Sequence, residues 1–450
     1  MIEFDPKTLT TFEFVEARYL PDTTTAELVY RFDRGPELVE RIVFPGAPAL
    51  AESRRAAFES ALQLLHLIAG ISYYKAAVPG ELKVSGDGID AGRAVLLDEL
   101  YLHGLGEFAH QNQLDLRGRI QFPVSATART AVATSVGLPR HNLVPIGGGK
   151  DSLVTLEALR TLGEPITAVQ VGGSPLIARV IADSGVPALA IGRELSPHLF
   201  ALNRAGAYNG HIPVTAINSA ILVVASLLYG FDAIVFSNER SASSANLVKD
   251  GFAVNHQWSK GFRFEQLLRA EIARSIASDL NYFSALRALS ELAVTQRFAK
   301  LDRYFDSFSS CNRNFKILGD RPTQRWCGEC PKCHFVFLGL APFLSKTKLL
   351  GIFGQNLLDR ADLAQAFDGL LEVNAQLKPF ECVGEGRESR AALAELSRRA
   401  EWREDALVRR FVTQIAPSLD AASLALEPLL LAEGEHFVPP ALAQVLHAVR

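Results

Sequence analysis

The chain has 450 residues, 48% of them hydrophobic and 21% charged, with a formal net charge of −3. This composition excludes a disordered chain and supplies enough apolar side chains for a large core, divided among two or three domains. The slightly negative charge argues against binding long stretches of nucleic acid, since that affinity comes mainly from neutralised phosphates, and leaves open a small anionic substrate in a local basic pocket.

No targeting or membrane segment is evident in the sequence. The N-terminus lacks the basic start and the apolar run of a signal peptide. The longest apolar region, residues 216–236, is interrupted by polar residues and predicts a buried helix followed by a strand rather than a membrane span. We therefore expect a cytoplasmic protein.

Residues 1–140 predict a separate, small N-terminal α+β domain. Apolar and polar residues alternate around Phe12, Leu28 and Ile42, which is typical of a small antiparallel sheet, and helical sequence follows. Nothing in this region has catalytic spacing. Its lone histidines on helical segments are more typical of packed or solvated side chains than of substrate contacts: His66, His103 and His110.

Residues 141–340 alternate between predicted strands and helices, which favours an α/β domain of parallel strands with helical crossovers. Ligands of such sheets bind beyond the carboxyl ends of the strands, so the candidates are the residues just after each strand. Besides the glycine-rich loop described next, these candidates are Gly172, Gly173, Asn238, Glu239 and Arg240.

A glycine-rich loop between an apolar strand and an amphipathic helix carries the strongest binding signal. It consists of Gly147, Gly148, Gly149, Lys150, Asp151 and Ser152. The first backbone N–H groups of a helix have no intrahelical acceptor and can bind phosphate, and glycines let that backbone approach closely. Ser152 adds a hydroxyl, Lys150 adds a positive charge, and Asp151 makes best sense beside a divalent cation. The alternative is a glycine-rich turn that binds nothing.

Two further stretches of this region have open interpretations. Glu239 could hold magnesium together with Asp151, and Arg240 could bind an anionic group of the substrate; the alternatives are a helix cap or an exposed loop charge. Residues 255–265 mix aromatic and basic side chains, which could stack a base and neutralise phosphates or could form a packed loop.

Four cysteines have the spacing of a metal site. They are Cys311, Cys327, Cys330 and Cys333. Four thiolates that converge suit tetrahedral zinc and leave no open coordination position, so we interpret the zinc as structural. Unpaired buried thiols and an iron–sulfur cluster are the alternatives, and His334 could replace a neighbouring cysteine.

Residues 341–450 predict a helical C-terminal region, with helices at residues 357–377, 390–415 and 442–449. Between the first two lies a non-helical insert, residues 378–387, which holds Cys382, the one cysteine outside the cluster. A thiolate is a competent base for a weakly acidic C–H proton, and Glu381, Lys378 or Arg387 could tune it. The alternative for Cys382 is a small buried hydrophobic side chain.

The glycine-rich loop resembles the Ser-Gly-Gly-x-Asp-Ser loop of the ATP pyrophosphatases, with Gly147 in place of the serine. The resemblance implies a PP-loop fold for residues 141–340, in which the loop holds the pyrophosphate of ATP while a substrate oxygen attacks the α-phosphorus. A comparable cysteine cluster is found in the 7-cyano-7-deazaguanine synthases, so loop and cluster together leave the substrate open.

The loop, the SNERS segment at residues 237–241, the CGECPKC cluster and the KPFECVG insert, with the chain length, resemble the MurL family of UDP-N-acetyl-α-D-muramoyl-L-alanyl-L-glutamate epimerases. That resemblance implies a UDP-linked muramyl dipeptide as substrate, whose terminal L-glutamate is inverted with ATP and Mg²⁺ for peptidoglycan synthesis. It leaves the second proton-transfer group and the oligomeric state open.

Our hypothesis assigns the loop to ATP, Asp151 and Glu239 to magnesium, the cysteine cluster to structural zinc, and Cys382, Glu381 and Lys150 to catalysis. The first alternative is an ATP-dependent nucleobase-modifying synthase or tRNA thiolase. The second is a zinc-bearing nucleotide sensor without catalytic activity.

Overall fold

The computed structural model of the chain describes residues 5–86, 88–126, 128, 132–315 and 322–448. Within these residues, nine strands form one mixed sheet and two short strands form a separate hairpin. The strands are β1 (Thr11–Leu20), β2 (Thr25–Phe32), β3 (Leu38–Val43), β4 (Glu81–Val84), β5 (Asn142–Pro145), β6 (Ile166–Val171), β7 (Ala188–Glu194), β8 (Ala233–Phe236), β9 (Leu247–Lys249), β10 (Phe252–Val254) and β11 (Asn281–Ser284).

The helices surround this sheet. They are α1 (Arg55–Ala69), α2 (Ile71–Tyr74), α3 (Ala91–Gly104), α4 (Gly106–Gln111), α5 (Lys150–Thr161), α6 (Pro175–Ser184), α7 (Pro197–Arg204), α8 (Val214–Tyr229), α9 (Phe262–Ser275), α10 (Glu291–Phe298), α11 (Pro331–Leu340), α12 (Lys346–Phe353), α13 (Ala364–Leu371), α14 (Gly386–Ser397), α15 (Ala406–Arg410) and α16 (Pro440–His447). None of the helices in the described ranges combines the length and apolar character that crossing a bilayer requires.

The order of strands in the sheet is β11, β8, β5, β6, β7, β3, β2, β1, β4. The five strands from β11 to β7 are parallel, as the alternation of strands and helices predicts. Strands β1 to β3 are antiparallel, also as predicted, but β3 pairs with β7, so they extend the same sheet. The fold is therefore mixed α/β with a mostly parallel sheet, and the division at residues 140 and 340 stays a prediction.

Both faces of the parallel strands are covered, as such sheets require. Because successive side chains point to opposite faces, Leu143 and Ile234 pack into a core that also holds α1 and α8. Their neighbours Val144 and Val235 pack into a second core, which holds α5, α10, α11 and most of the chain beyond. The loops that follow the carboxyl ends of the strands lie between these two cores.

The C-terminal region consists of shorter helices than the sequence indicates. The predicted helix at residues 357–377 is reduced to α13, which ends where Glu372 adopts a positive φ of 54°. The predicted helix at residues 390–415 is wrong as one element: α14 ends at Ser397, the chain turns around the buried Trp402, and α15 follows. Here burial of a large aromatic side chain outweighs local helix propensity.

Candidate active site

The glycine-rich loop lies where the strand order reverses. Strand β5 is flanked by β6 and β7 on one side and by β8 and β11 on the other. In open parallel sheets, the loops at this switch point diverge and leave a crevice beyond the carboxyl ends of the strands. The loops after β5 and β8, which carry Asp151 and Glu239, are thereby brought together as the sequence predicts.

The glycines of the loop have different surroundings. Gly148 has a positive φ of 85°, and its carbonyl oxygen accepts a hydrogen bond of 2.9 Å from the backbone N–H of Ser309. A Cβ on Gly149 would lie 2.7 Å from Oγ of Ser310, whereas a Cβ on Gly147 would meet nothing within 4 Å. Gly149 caps α5 without a side-chain hydrogen bond, so the first N–H groups of the helix remain available to an anion.

A cavity of about 320 Å³ opens over this loop. Its polar lining includes the loop and side chains from five later parts of the chain: Gly147, Gly149, Asp151, Ser152, Asn238, Lys260, Asn312, Lys332 and Cys382. The predicted nucleotide loop and the predicted catalytic thiol therefore face one cavity, although they are far apart in sequence. This volume is at the small end of the range for ligand pockets.

Three carboxylates converge beside the cavity: Asp151, Glu239 and Glu291, with oxygens within 4.8 Å of one another. Oε1 of Glu239 is buried and has no hydrogen-bond partner. Burial, together with Glu291 and Asp151, raises the pKa of Glu239 to about 8. Carboxylate oxygens are the ligands that Mg²⁺ prefers, and a bound cation would satisfy the unpaired oxygen, so these residues fit the ion.

Lys150 is drawn into this carboxylate group. Its ammonium binds Oδ1 of Asp151 and Oε2 of Glu291, and its side chain is fully buried. Burial opposes its charge, but Asp151 and Glu291 outweigh burial and raise the pKa of Lys150. Lys150 is not among the residues that line the cavity, so its arrangement here neutralises the carboxylates rather than reaching towards a ligand.

The four cysteines converge as the spacing predicts, with sulfur atoms within 4.8 Å of one another. The Sγ atom of Cys333 lies 3.7 Å from that of Cys327 and 3.5 Å from that of Cys330. Tetrahedral zinc with Zn–S bonds of about 2.3 Å places its sulfur ligands about 3.8 Å apart, so the donor set fits zinc. His334 is not part of this donor group; its Nε2 donates a hydrogen bond of 3.0 Å to the carbonyl oxygen of Gly328.

The cysteine cluster also positions residues of the cavity. Cys311 follows the Ser309–Ser310 pair that packs on the glycine-rich loop and precedes Asn312, which lines the cavity. Lys332 lies between Cys330 and Cys333 and points into the same cavity. A metal that clamps the four thiolates would hold both segments against the loop, which supports the structural interpretation.

Cys382 lies among cationic side chains. Nζ of Lys260 is 3.1 Å from its Sγ, and His256, from the same segment as Lys260, adds positive charge to its surroundings. Lys332 donates to the Cys382 carbonyl oxygen. Burial raises the pKa of the Cys382 thiol, but Lys260, His256 and Lys332 outweigh burial and lower it to about 5. The thiol is therefore ionised at neutral pH.

The neighbouring Glu381 has the opposite electrostatic environment. Burial raises its pKa to about 7; His256 and Lys332 oppose this rise, while the Cys382 thiolate adds to it. A carboxyl group that titrates near neutral pH can both donate and accept a proton. The insert thus brings together two groups with shifted proton affinities, as expected for a catalytic segment.

The remaining predicted residues lie around the cavity or away from it. Gly172 follows β6 with a positive φ of 87°, and neither it nor Gly173 is among the lining residues of the described chain. Asn238 lines the cavity, and its carbonyl oxygen accepts a 2.6 Å hydrogen bond from Ser284. Arg240 does not line it and forms an ion pair of 2.6 Å with Glu433.

Sequence reasoning missed several side chains of the site. Glu291 starts α10 after β11, a four-residue strand that the sequence pattern did not reveal. His256 and Lys260 belong to the segment whose aromatic and basic side chains had two open interpretations. Trp258 of that segment stacks on His103 at a centroid distance of 5.5 Å, so the aromatic part packs while the lysine enters the cavity.

The glycine-rich loop, Asp151 and the Cys382 thiol share one cavity at the switch point of the sheet, which is the usual place for a ligand site in open α/β proteins. The chain belongs to the MurL family: the MurL N-terminal domain matches residues 3–285 and the MurL C-terminal domain matches residues 307–425. This confirms the family predicted from the sequence motifs.

Relatives that carry one functional name match nearly the whole chain. A UDP-N-acetyl-alpha-D-muramoyl-L-alanyl-L-glutamate epimerase from Xanthomonas oryzae pv. oryzae is 57% identical over 449 residues, which span 100% of this chain and 99% of the relative. Epimerases of the same name from Micromonospora sp. and Salinispora tropica are 39% identical over 440 residues and 40% identical over 444 residues. Each alignment spans 96% of this chain, and 97% and 95% of the respective relative.

Proposed function

We propose that this chain is a cytoplasmic, ATP-dependent epimerase that converts the terminal L-glutamate of UDP-N-acetyl-α-D-muramoyl-L-alanyl-L-glutamate to D-glutamate, in peptidoglycan precursor synthesis. The substrate follows from the names of relatives that match nearly the whole chain. The observation that carries the chemistry is the convergence of the glycine-rich loop, Asp151 and Cys382 on one cavity, with Glu239 and Glu291 beside Asp151. The same names argue against a nucleobase-modifying synthase, a tRNA thiolase or a sensor.

The chemical difficulty is the α-proton of glutamate. Its removal beside an ionised carboxylate would place two negative charges next to each other. Attack of the α-carboxylate oxygen on the α-phosphorus of ATP forms an acyl-adenylate and releases pyrophosphate, which removes the carboxylate charge. The carbonyl of the adenylate can then accept the electron pair of the broken C–H bond as an enolate. Activation of the γ-carboxylate would leave the charge beside the α-carbon, so we assign adenylation to the α-carboxylate.

The residues of the cavity divide these tasks. The N–H groups at the start of α5, with Ser152, bind the phosphates. Asp151, Glu239 and Glu291 would hold Mg²⁺, which when bound offsets the charge of the triphosphate and of the leaving pyrophosphate. Lys150 holds two of these carboxylates, Asp151 and Glu291, in place.

Cys382 takes the α-proton as its thiolate, and a donor on the opposite face returns a proton to the enolate. Glu381, with a pKa of about 7, is the neighbouring group suited to exchange protons with solvent. Water then attacks the acyl carbon and releases AMP and the inverted product. The four-cysteine zinc site takes no part in these steps and holds the surrounding segments.

A turnover assay with the muramyl dipeptide nucleotide tests this function. The purified chain is incubated with the substrate, with or without ATP and Mg²⁺; the glutamate released by hydrolysis is resolved into stereoisomers, and AMP and pyrophosphate are quantified. We expect D-glutamate to form only with ATP, in parallel with AMP and pyrophosphate. ATP-independent inversion, or ADP and phosphate as products, would contradict the proposal.

A further inference from the structure

Behind Cys382 lies a group of side chains from three distant parts of the sequence. Oε2 of Glu107, on helix α4, forms a hydrogen bond with Nδ1 of His256. The segment that carries His256 packs against the insert: Nε2 of Gln257 donates a 3.3 Å hydrogen bond to the carbonyl oxygen of Val383, and Nζ of Lys260 lies 3.1 Å from the Cys382 sulfur. This packing brings the His256 side chain to the Cys382 thiol, on which it acts electrostatically. Because Nδ1 is engaged by the carboxylate, the other ring nitrogen is the one available to the sulfur.

Glu107 and His256 are shielded from solvent. The side chains of Glu107 and His256 are only 7% and 13% exposed. Burial lowers the pKa of His256, but its interactions with Cys382 and Glu107 outweigh burial and raise it to about 9. The imidazole is therefore a cation at neutral pH, and the thiol beside it is an anion.

The other charged groups near Cys382 and His256 do not orient the Cys382 thiol as the His256 ring does. Cys382 is also faced by Lys260, Lys332 and Glu381, and His256 is also faced by Glu381 and His211. His211 lies 3.8 Å from the same Glu107 oxygen, but burial, with His256 and Lys260, lowers its pKa to about 3 and keeps it neutral. A lysine ammonium is a point charge, whereas the imidazole is a planar donor whose direction Glu107 fixes.

We propose that Glu107 and His256 are positioning residues of the epimerase reaction: Glu107 fixes the His256 ring, and His256 donates to the Cys382 sulfur, which keeps the thiol ionised and directed into the cavity. This inference rests on the proposed function in one respect, the assignment of Cys382 to proton transfer. Glu107 and His256 lie in the region matched by the MurL N-terminal domain and Cys382 in that matched by the C-terminal domain. The active thiolate is thus assembled from both.

The arrangement follows a known chemical logic. A carboxylate that accepts one imidazole N–H selects the ring orientation and stabilises the imidazolium, and the other N–H then supports an anionic sulfur or oxygen. Without the carboxylate, the imidazolium loses a partner, its pKa falls, and it stabilises the thiolate less. The prediction is therefore that removal of Glu107 affects Cys382 without any direct contact between the two.

The test measures thiol ionisation and turnover separately in the full-length chain. The first readout is the pH dependence of iodoacetamide alkylation at Cys382, followed by peptide mass spectrometry, which does not require turnover. The second readout is kcat and KM for ATP from about pH 5 to pH 10. The variants are Glu107→Gln, His256→Gln and His256→Gly, the last assayed with and without added imidazole. His110→Asn, on the same helix as Glu107 and in contact with Phe380 of the insert, is the matched control.

We expect Glu107→Gln and His256→Gln to raise the alkylation midpoint by about one pH unit or more and to lower kcat about tenfold or more, with KM for ATP changed less than about twofold. The thiolate and the imidazolium of the wild type should coexist between about pH 5 and about pH 9, and the pH range in which iodoacetamide alkylation and kcat depend on this pair should narrow in Glu107→Gln. Imidazole should restore part of the kcat of His256→Gly, which a merely structural role would not produce. His110→Asn should match the wild type in both readouts.

An unchanged alkylation midpoint in Glu107→Gln and His256→Gln would overturn the positioning role and leave the proposed function intact. Loss of one metal equivalent in Glu107→Gln would also overturn it, because these side chains would then act as ligands. Full turnover of a Cys382→Ser variant would instead contradict the use of this thiol in the proposed function, so the two failures are distinguishable.

Discussion

Replacing Lys260 by methionine isolates the electrostatic contribution of one cation to the Cys382 thiolate. The ammonium lies 3.1 Å from the sulfur, and Coulomb's law with an effective dielectric constant of about 20 gives about 5 kcal/mol for unit charges at this distance. This energy corresponds to about four pKa units. Water will enter the space left by the ammonium, and His256 remains beside the sulfur. We therefore expect the pKa of the Cys382 thiol to rise by about half of this amount, from about 5 to about 7.

The sign of the pH effect follows from the acid character of the thiol. Its pKa is lowered in the folded protein, so the thiolate persists above about pH 5 in the wild type and only above about pH 7 in Lys260→Met. At about pH 6 the thiolate fraction should fall from about nine tenths to about one tenth, and iodoacetamide should alkylate Cys382 about tenfold more slowly. Peptide mass spectrometry separates this site from the cysteine cluster.

Lys260→Arg provides the control for this experiment because it keeps the positive charge. Its alkylation profile should lie close to that of the wild type, with a modest shift from the different donor geometry. Identical profiles for wild type and Lys260→Met would refute the argument that the cations around Cys382 ionise it. The proton-transfer role of the thiol would then lose its physical basis.

Asp151→Asn and Ser152→Ala should each lower kcat at least about a hundredfold with little change in stability, since they act on the cation and phosphates rather than on packing. About one equivalent of zinc should copurify with the chain, and Cys330→Ser should lose it and destabilise the fold by about 4 kcal/mol or more, measured by thermal unfolding. Gly148→Ala should lower the free energy of unfolding by about 1 to 2 kcal/mol, because Gly148 has a positive φ. Gly147→Ala should leave the free energy of unfolding nearly unchanged, because a Cβ at this position would contact no other atom.

Controls and contradictory outcomes differ among these variants. Asp183→Asn, on an exposed position of α6, should keep wild-type turnover. Wild-type activity of Asp151→Asn would remove this carboxylate from the site. Stoichiometric iron in place of zinc would change the identity of the cluster, and equal destabilisation by the two glycine variants would contradict the described loop conformation.

The part of the site that could be predicted from the sequence is the part whose chemistry is local. The glycine-rich loop needs a strand, glycines and a helix start within about ten residues, and the cysteine cluster needs a short ligand spacing. Both patterns are readable because neighbours in the sequence are neighbours in space. The parallel strands around β5 follow from the same kind of local alternation.

The rest depends on contacts between distant residues. No sequence pattern brings Glu291 beside Asp151, because β11 is a strand of four residues and the carboxylates meet only when it joins β8. Glu107, His256 and Cys382 are separated from one another by more than a hundred residues, and only the packed fold brings them together. Lys150 shows that a local pattern can also mislead. Its position in the loop predicted contact with a phosphate, but in the fold its buried ammonium binds two carboxylates instead.

The proposed reaction requires that ATP activate the glutamate α-carboxylate before the α-carbon is inverted. The direct measurement uses the muramyl dipeptide nucleotide with oxygen-18 in that carboxylate, followed by mass spectrometry of AMP and stereochemical analysis of the glutamate. Because the attacking carboxylate oxygen stays on phosphorus when water cleaves the acyl-adenylate at carbon, we expect one oxygen-18 atom in each AMP, formed in step with D-glutamate. Unlabelled AMP accompanying inverted product would contradict it.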